Sequence, residues 1–187
     1  VGEGPTLTTA RLRALPLTVW NAGFVAEELA QAMVAANRGT PVRLAAGELF
    51  GGAVDSTPAD PVAGGAVATD PTGVRRELRR RVGAGRGILT WVLRADDGTA
   101  LGLLAADAHG AQAAVGVRVS AAHRRDGYAA EAVRAVASWL EYRGVLVGTR
   151  VRVGDTAAKR LAQSTAFVPT GVLLTERRRL WIRPPPC

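Results

Sequence analysis

The segment Val117-Arg118-Val119-Ser120-Ala121-Ala122-His123-Arg124-Arg125-Asp126-Gly127-Tyr128-Ala129-Ala130-Glu131-Ala132-Val133 constrains this chain more than any other. It reads as a strand, a short polar loop and a glycine that opens a helix. The first N–H groups of a helix have no acceptor within it, and the aligned peptide dipoles add about half a positive charge at that end. Such a junction suits an anion, and a pyrophosphate fits it. Gly127 lets the backbone approach a ligand, and Ala129 leaves the first turn uncrowded. Arg124 and Arg125 supply guanidinium groups matched to phosphate oxygens.

The flanking pattern is that of a mixed α/β chain. Residues 88–94 read as a strand, 96–99 as a tight turn, 100–107 as its hairpin partner and 113–119 as a further strand. The helix is expected over 127–143, with Ala129, Ala132, Val133, Val136, Ala137 and Leu140 on one stripe and Gly144 as its stop. Then come a strand at 145–153, a helix at 156–165, and a closing pair at 172–175 and 179–183. Upstream, 7–15 alternates as one short strand ending at Pro16, and 19–36 repeats its apolar residues at helical spacing, with Trp20 and Met33 read as core. Between Gly51 and Gly73 the composition collapses into Gly, Ala, Pro and Asp, which predicts a flexible loop at 51–73, either plainly disordered or bordering an acceptor site. Residues 74–82 read as a short basic helix carrying Arg75, Arg76, Arg79, Arg80 and Arg81.

Composition narrows the class. With 187 residues, 48% apolar and 21% charged, the expectation is one globular domain over 1–187. The single cysteine, Cys187, excludes an internal disulfide and fits a reducing, cytoplasmic setting. No apolar run approaches the length of about eighteen residues that a membrane span needs, and no secretory leader is apparent. The net charge of +8 invites a nucleic-acid or ribosome-binding reading through the arginines at 75–81 and 177–179. Yet only one of the 24 basic residues is a lysine, Lys159, a skew that GC-rich coding produces by itself. Clustered aromatic platforms for bases are also missing.

Arg124-Arg125-Asp126-Gly127-Tyr128-Ala129 resembles the diphosphate loop of the GNAT superfamily of acyl-CoA-dependent N-acyltransferases. That loop reads Arg or Gln, two variable residues, Gly, one variable residue, then Gly or Ala. The continuation from Tyr128 to Ala135 looks like the start of the family's long helix. Asp155 to Phe167 lies where members carry an Asn-containing helix ending in Gly-Phe. The opening from Leu7 to Thr18 resembles the branch containing ribosomal-protein and other amine acetyltransferases. The resemblance implies a mostly antiparallel sheet splayed around an acyl-CoA cleft, with flanking helices and acetyl-CoA as co-substrate. Val117, Arg118 and Val119 would pair with the pantetheine arm, the amides of Arg124, Arg125, Asp126, Gly127, Tyr128 and Ala129 would hold the pyrophosphate, and Asp155 would complete the cofactor site. A backbone N–H near Val117 or Val119 would polarise the thioester carbonyl. The implied acceptor is a primary amine of a small molecule or protein, with a homodimer as a candidate assembly and neither metal nor membrane involved.

The departures fall on the catalytic positions. Aligning on Gly116 puts Ala114 where the branch often has a Glu base, Ala158 where a Ser is usual, and Leu161 and Ala162 where many relatives carry a Tyr acid. The Gly before the final Phe is Ala166. Asp107 and His109 are the remaining candidates for acid–base work, because they end the strand preceding 113–119, although a surface turn pair is the plainer reading. His123 in the loop, Ser120 at the strand end and Tyr142 near the helix end have structural readings as well. A catalytically degenerate acyl-CoA-binding module is the alternative these departures keep open.

Overall fold

The computed structural model describes residues 4–18, 21, 42–43, 67–68, 87–175 and 177–184. In chain order the strands are β1 (Leu7–Thr8), β2 (Leu12–Pro16), β3 (Val42–Arg43), β4 (Val67–Ala68), β5 (Ile88–Ala95), β6 (Ala100–His109), β7 (Gln112–Val119), β8 (Leu146–Arg152), β9 (Val168–Thr175) and β10 (Arg178–Ile182). The helices are α1 (Tyr128–Tyr142) and α2 (Thr156–Ser164), and a single 3₁₀ turn spans Ala121–His123. Eight strands form one sheet in the order β1-β2-β5-β6-β7-β8-β10-β9, and β3 pairs with β4. Every pairing in the large sheet is antiparallel except that of β7 with β8. Parallel neighbours require a crossover, and α1 supplies it.

The stripe expected on the long helix is buried from Ala132 onward, while Ala129 in the first turn is half-buried. Ala132, Val133, Val136, Ala137 and Leu140 are buried in one cluster with Trp91, Leu93, Leu104, Ala106, Val115 and Val147 of the sheet. Trp91 meets Trp139 edge to face with ring centroids 5.8 Å apart, and its Nε1 donates to the Pro5 carbonyl at 2.9 Å. The sheet face away from α1 carries Val92, Leu103 and Ala105, which are also fully buried.

Four expectations are corrected. The strand read over 7–15 is two strands, because the Thr9 N–H donates to the Leu12 carbonyl at 2.9 Å and Thr9 Oγ1 accepts from the Leu12 N–H at 3.2 Å, folding a turn between β1 and β2. Val67–Ala68, inside the segment expected to be a loop, pairs with Val42–Arg43. The rest of that loop, the helix expected at 19–36 apart from Asn21, and the basic helix at 74–82 lie outside the described residues. β6 runs to His109, so Asp107 and His109 belong to a paired strand and not to a turn. β9 starts at Val168, four residues early, because α2 ends in a tight reversal that returns the chain directly to the sheet.

That reversal is a Schellman motif: the Phe167 N–H bonds the Ala162 carbonyl at 2.9 Å and the Ala166 N–H bonds the Gln163 carbonyl at 3.2 Å. It places Ala166 at φ +65°, the conformation glycine favours. The Cβ of Ala166 therefore costs stability. Ala166→Gly should stabilise the protein by about 1 kcal/mol, read as an upward shift of the urea midpoint with an unchanged m-value.

Candidate functional site

β7 and β8 stay paired for three rungs only, Gln112 with Leu146, Ala113 with Val147 and Ala114 with Gly148. Beyond them Thr149 Oγ1 donates to the Val115 carbonyl at 2.9 Å, and the two strands then diverge. The splay opens into a cavity of about 70 Å³ lined by Val115, Gly116, Val117, Thr149 and Arg150, with α2 contributing Ala158, Leu161 and Ala162.

Backbone direction along β7 follows from its bonds. The Ser120 N–H donates to Leu101 of β6, so the even-numbered groups face β6 and the odd-numbered ones face the splay. The Val115 carbonyl is taken by Thr149 and the Val119 carbonyl by Arg124 Nε, at 3.2 Å. Among the described residues, this leaves Val117 presenting both N–H and C=O to the gap, an edge that an extended amide chain could continue.

The gap leads to the anion junction. Gly127 is the N-cap of α1 at φ +86°, and no side chain caps the helix. Arg125 is also left-handed, at φ +71°, a conformation that costs a non-glycine residue roughly 1–2 kcal/mol. Strain of this kind persists where the surroundings hold it in place. Ser120 Oγ, at the end of β7, is buried with no hydrogen-bond partner among the described residues. An unpaired strand edge, an orphaned hydroxyl and an uncapped helix start together fit a pantetheine arm ending in a pyrophosphate.

What holds the junction is a contact that sequence reading missed. Glu131, one turn into α1, accepts from Thr9 Oγ1, from the Arg11 N–H at 3.0 Å and from Arg11 Nε at 2.9 Å. Arg11 NH2 lies 2.7 Å from Glu131 Oε2, and Arg11 NH1 donates to the Asp126 carbonyl at 2.9 Å. The Arg11 guanidinium also sits over the Tyr128 ring, 5.0 Å from its centroid. Burial alone would push the Glu131 carboxyl up, but the hydrogen bonds from Thr9 and Arg11, with the charge of Arg11, hold it below the usual glutamate range. No local signal pairs residues 120 positions apart.

The other expected residues are distributed as follows. Val117, Arg118 and Val119 lie on β7, Arg124 to Gly127 in the loop, and Tyr128 and Ala129 in the first turn of α1. Arg124 folds back onto the end of β7, while Arg125 and Asp126 are exposed. Asp126 does not cap α1. Asp155 caps α2, accepting from the Ala158 N–H at 2.8 Å. Asp107 and His109 lie at the closed end of the splay, with His109 Nε2 2.8 Å from Asp107 Oδ1. Tyr142 is fully exposed, at the end of α1 away from the junction.

The fold is that of the GNAT acetyltransferases. RimL, a ribosomal L7/L12 alpha-N-protein acetyltransferase solved in complex with coenzyme A, matches with a TM-score of 0.65 at 13% identity, over 96% of this chain and 97% of that one. The ribosomal-protein-S5-alanine acetyltransferase of Vibrio fischeri matches with a TM-score of 0.63 at 12% identity, over 96% and 97%. A probable acetyltransferase of the same family from Chromobacterium violaceum gives 0.64 at 19% identity, over 97% and 86%. No protein-family model matches the sequence, and no curated protein does.

The Glu131 contacts give a stability signature with a defined sign. A carboxyl whose value is lowered by folding adds stability above its unfolded value and loses it as the pH falls through the folded one. Glu131→Gln should cost about 1–2 kcal/mol at pH 7. In urea titrations the variant and parent should converge as the pH drops below the ordinary glutamate range.

Proposed function

We propose that this chain is an acyl-CoA-dependent N-acyltransferase that transfers acetyl from acetyl-CoA to a primary amine. The observation that carries the reading is the continuity of the site: the parallel ladder stops at Ala114, Val117 presents a free backbone edge in the gap, and β7 runs on into an uncapped helix start. An acyl pantetheine would extend β7 through the N–H and C=O of Val117, flanked by Arg118 and Val119. The amides of the loop from Arg124 through Gly127, with Tyr128 and Ala129, would hold its pyrophosphate, and the orphaned Ser120 Oγ would gain a partner.

The chemistry asks little of the protein. A neutral amine attacks the thioester carbonyl, the C–N bond forms as the C–S bond breaks, and the sulfur leaves as a thiol. A backbone N–H of β7 other than the one spent on the pantetheine would donate to the carbonyl oxygen as charge builds on it, and the gap holds the thioester for attack on its carbonyl carbon. The similar solved structures include acetyltransferases of ribosomal proteins, which favours a protein N-terminus as acceptor. Arg124 and Asp155 act here as supports: one braces the loop on Val119, the other caps the helix that walls the cavity.

Saturating acetyl-CoA should raise the melting temperature, since a ligand at a hundred times its Kd adds about 2.7 kcal/mol. Gly127→Trp should abolish that shift, and it should cost the free protein more than the roughly 1–2 kcal/mol of a side chain at φ +86°, because the new Cβ would stand 3.1 Å from Arg11 NH2. Thiol release with a panel of amines tests turnover. Absence of any shift at millimolar acetyl-CoA would overturn the reading, and a shift without thiol release would reduce it to an acyl-CoA-binding module.

A further inference from the structure

We infer that Arg11, from the turn between β1 and β2, belongs to the cofactor site and donates to the diphosphate of the bound acyl-CoA, an inference that rests on the acyltransferase reading above. Its placement carries it. The first hydrogen bond of α1 runs from the Glu131 N–H to the Gly127 carbonyl at 3.1 Å, so the N–H groups of Tyr128, Ala129 and Ala130 stand ahead of the helix ladder. Arg11 reaches that end of the helix from a distant part of the chain. Its NH1 donates to the Asp126 carbonyl at 2.9 Å, its guanidinium lies over the Tyr128 ring, and a Cβ added at Gly127 would stand 3.1 Å from its NH2. At the other end of the same loop Ser120 Oγ is buried, the residue 6% exposed, with no partner among the described residues.

The guanidinium has donors left over. An arginine carries five N–H groups. Among the described residues, Nε and one N–H of NH2 go to Glu131 Oε2 and one N–H of NH1 goes to Asp126, so one on each terminal nitrogen remains. The Arg11 side chain is 51% exposed, so a ligand can reach them, and a planar fork of this kind matches phosphate oxygens. Charge points the same way. From Arg124 to Glu131 the chain carries two arginines, Arg124 and Arg125, against two carboxylates, Asp126 and Glu131, so the loop and first turn sum to zero. Glu131 lies one turn into α1, where its charge opposes an anion at the helix start. Arg11 cancels that charge through direct contacts with both carboxylate oxygens, and it alone turns the balance of the junction positive. Glu131 thus holds the fork in position, and the fork removes the repulsion Glu131 would exert.

The test measures the Kd of acetyl-CoA for the full chain by calorimetry. Arg11→Gln should raise it about tenfold or more, the scale of a hydrogen bond to a charged group. Glu131→Gln separates recognition from bracing: it keeps an acceptor oxygen for Arg11 but removes the opposing charge, so its Kd should be at or below the parent's. A brace alone weakens binding in both variants, and comparable weakening in the two would overturn the proposal. A parent-like Kd in Arg11→Gln would overturn it as well. Should Arg11→Gln not fold, the parent still decides: saturation with acetyl-CoA must move the Arg11 Nε–H signal in ¹⁵N spectra, and an unmoved signal overturns the proposal. Failure of the parent to bind acetyl-CoA at all would instead sink the acyltransferase reading beneath it.

Discussion

The hydrogen bond from Thr149 Oγ1 to the Val115 carbonyl marks the point where β7 and β8 stop being neighbours in a sheet and become two walls of a cleft. Had the ladder continued, Val117 would spend its backbone groups on β8 and no edge would remain for a ligand. Because it stops, one strand serves two ends: its amides line the gap, and its C-terminus delivers the chain to the start of α1. The buried stripe of α1, packed on Trp91, Leu104, Ala106 and Val115, then fixes that helix start against the sheet. Core packing and site geometry are therefore set by the same element.

The loop between them is strained and externally braced. Arg125 and Gly127 adopt left-handed backbone, and the helix they open has no side-chain cap. Arg124 ties the loop to the end of β7, and Arg11 reaches the Asp126 carbonyl from the β1–β2 turn while its guanidinium engages Glu131. A loop held from both sides is fixed in place, and none of its side chains caps the helix it opens. That is the preorganisation an anion site needs, since ligand binding then spends little on ordering.

What could be read from the chain was what is local in it. The apolar runs of β5 and β6, the alternation of β7, the 3.6-residue stripe of α1 and the glycine at its start are encoded within short windows, and the structure has a strand or a helix at each of them. The brace of Glu131 by Thr9 and Arg11 and the clamp of Thr149 on Val115 each depend on register between distant segments. No local pattern specifies register. The split of 7–15 into β1 and β2 turned on a single threonine, through contacts that alternation does not encode.

The net charge of +8, which invites a nucleic-acid partner, has a more modest distribution in the fold. Arg11 and Arg183 are engaged with Glu131 and Glu141, and Arg124 with a backbone carbonyl, so these side chains act as struts. Among the described residues no helix is long and apolar enough to cross a membrane, and no group of three acidic, histidine or cysteine side chains could hold a metal ion. The central claim is that Val117 offers its backbone to an acyl-CoA in the gap between β7 and β8. Amide hydrogen exchange at Val117, followed by NMR with and without saturating CoA, tests it most directly. The exchange should slow at least about tenfold on binding, in keeping with a newly made hydrogen bond worth roughly 1.4 kcal/mol. Unchanged exchange at Val117 in a CoA-saturated protein would contradict it.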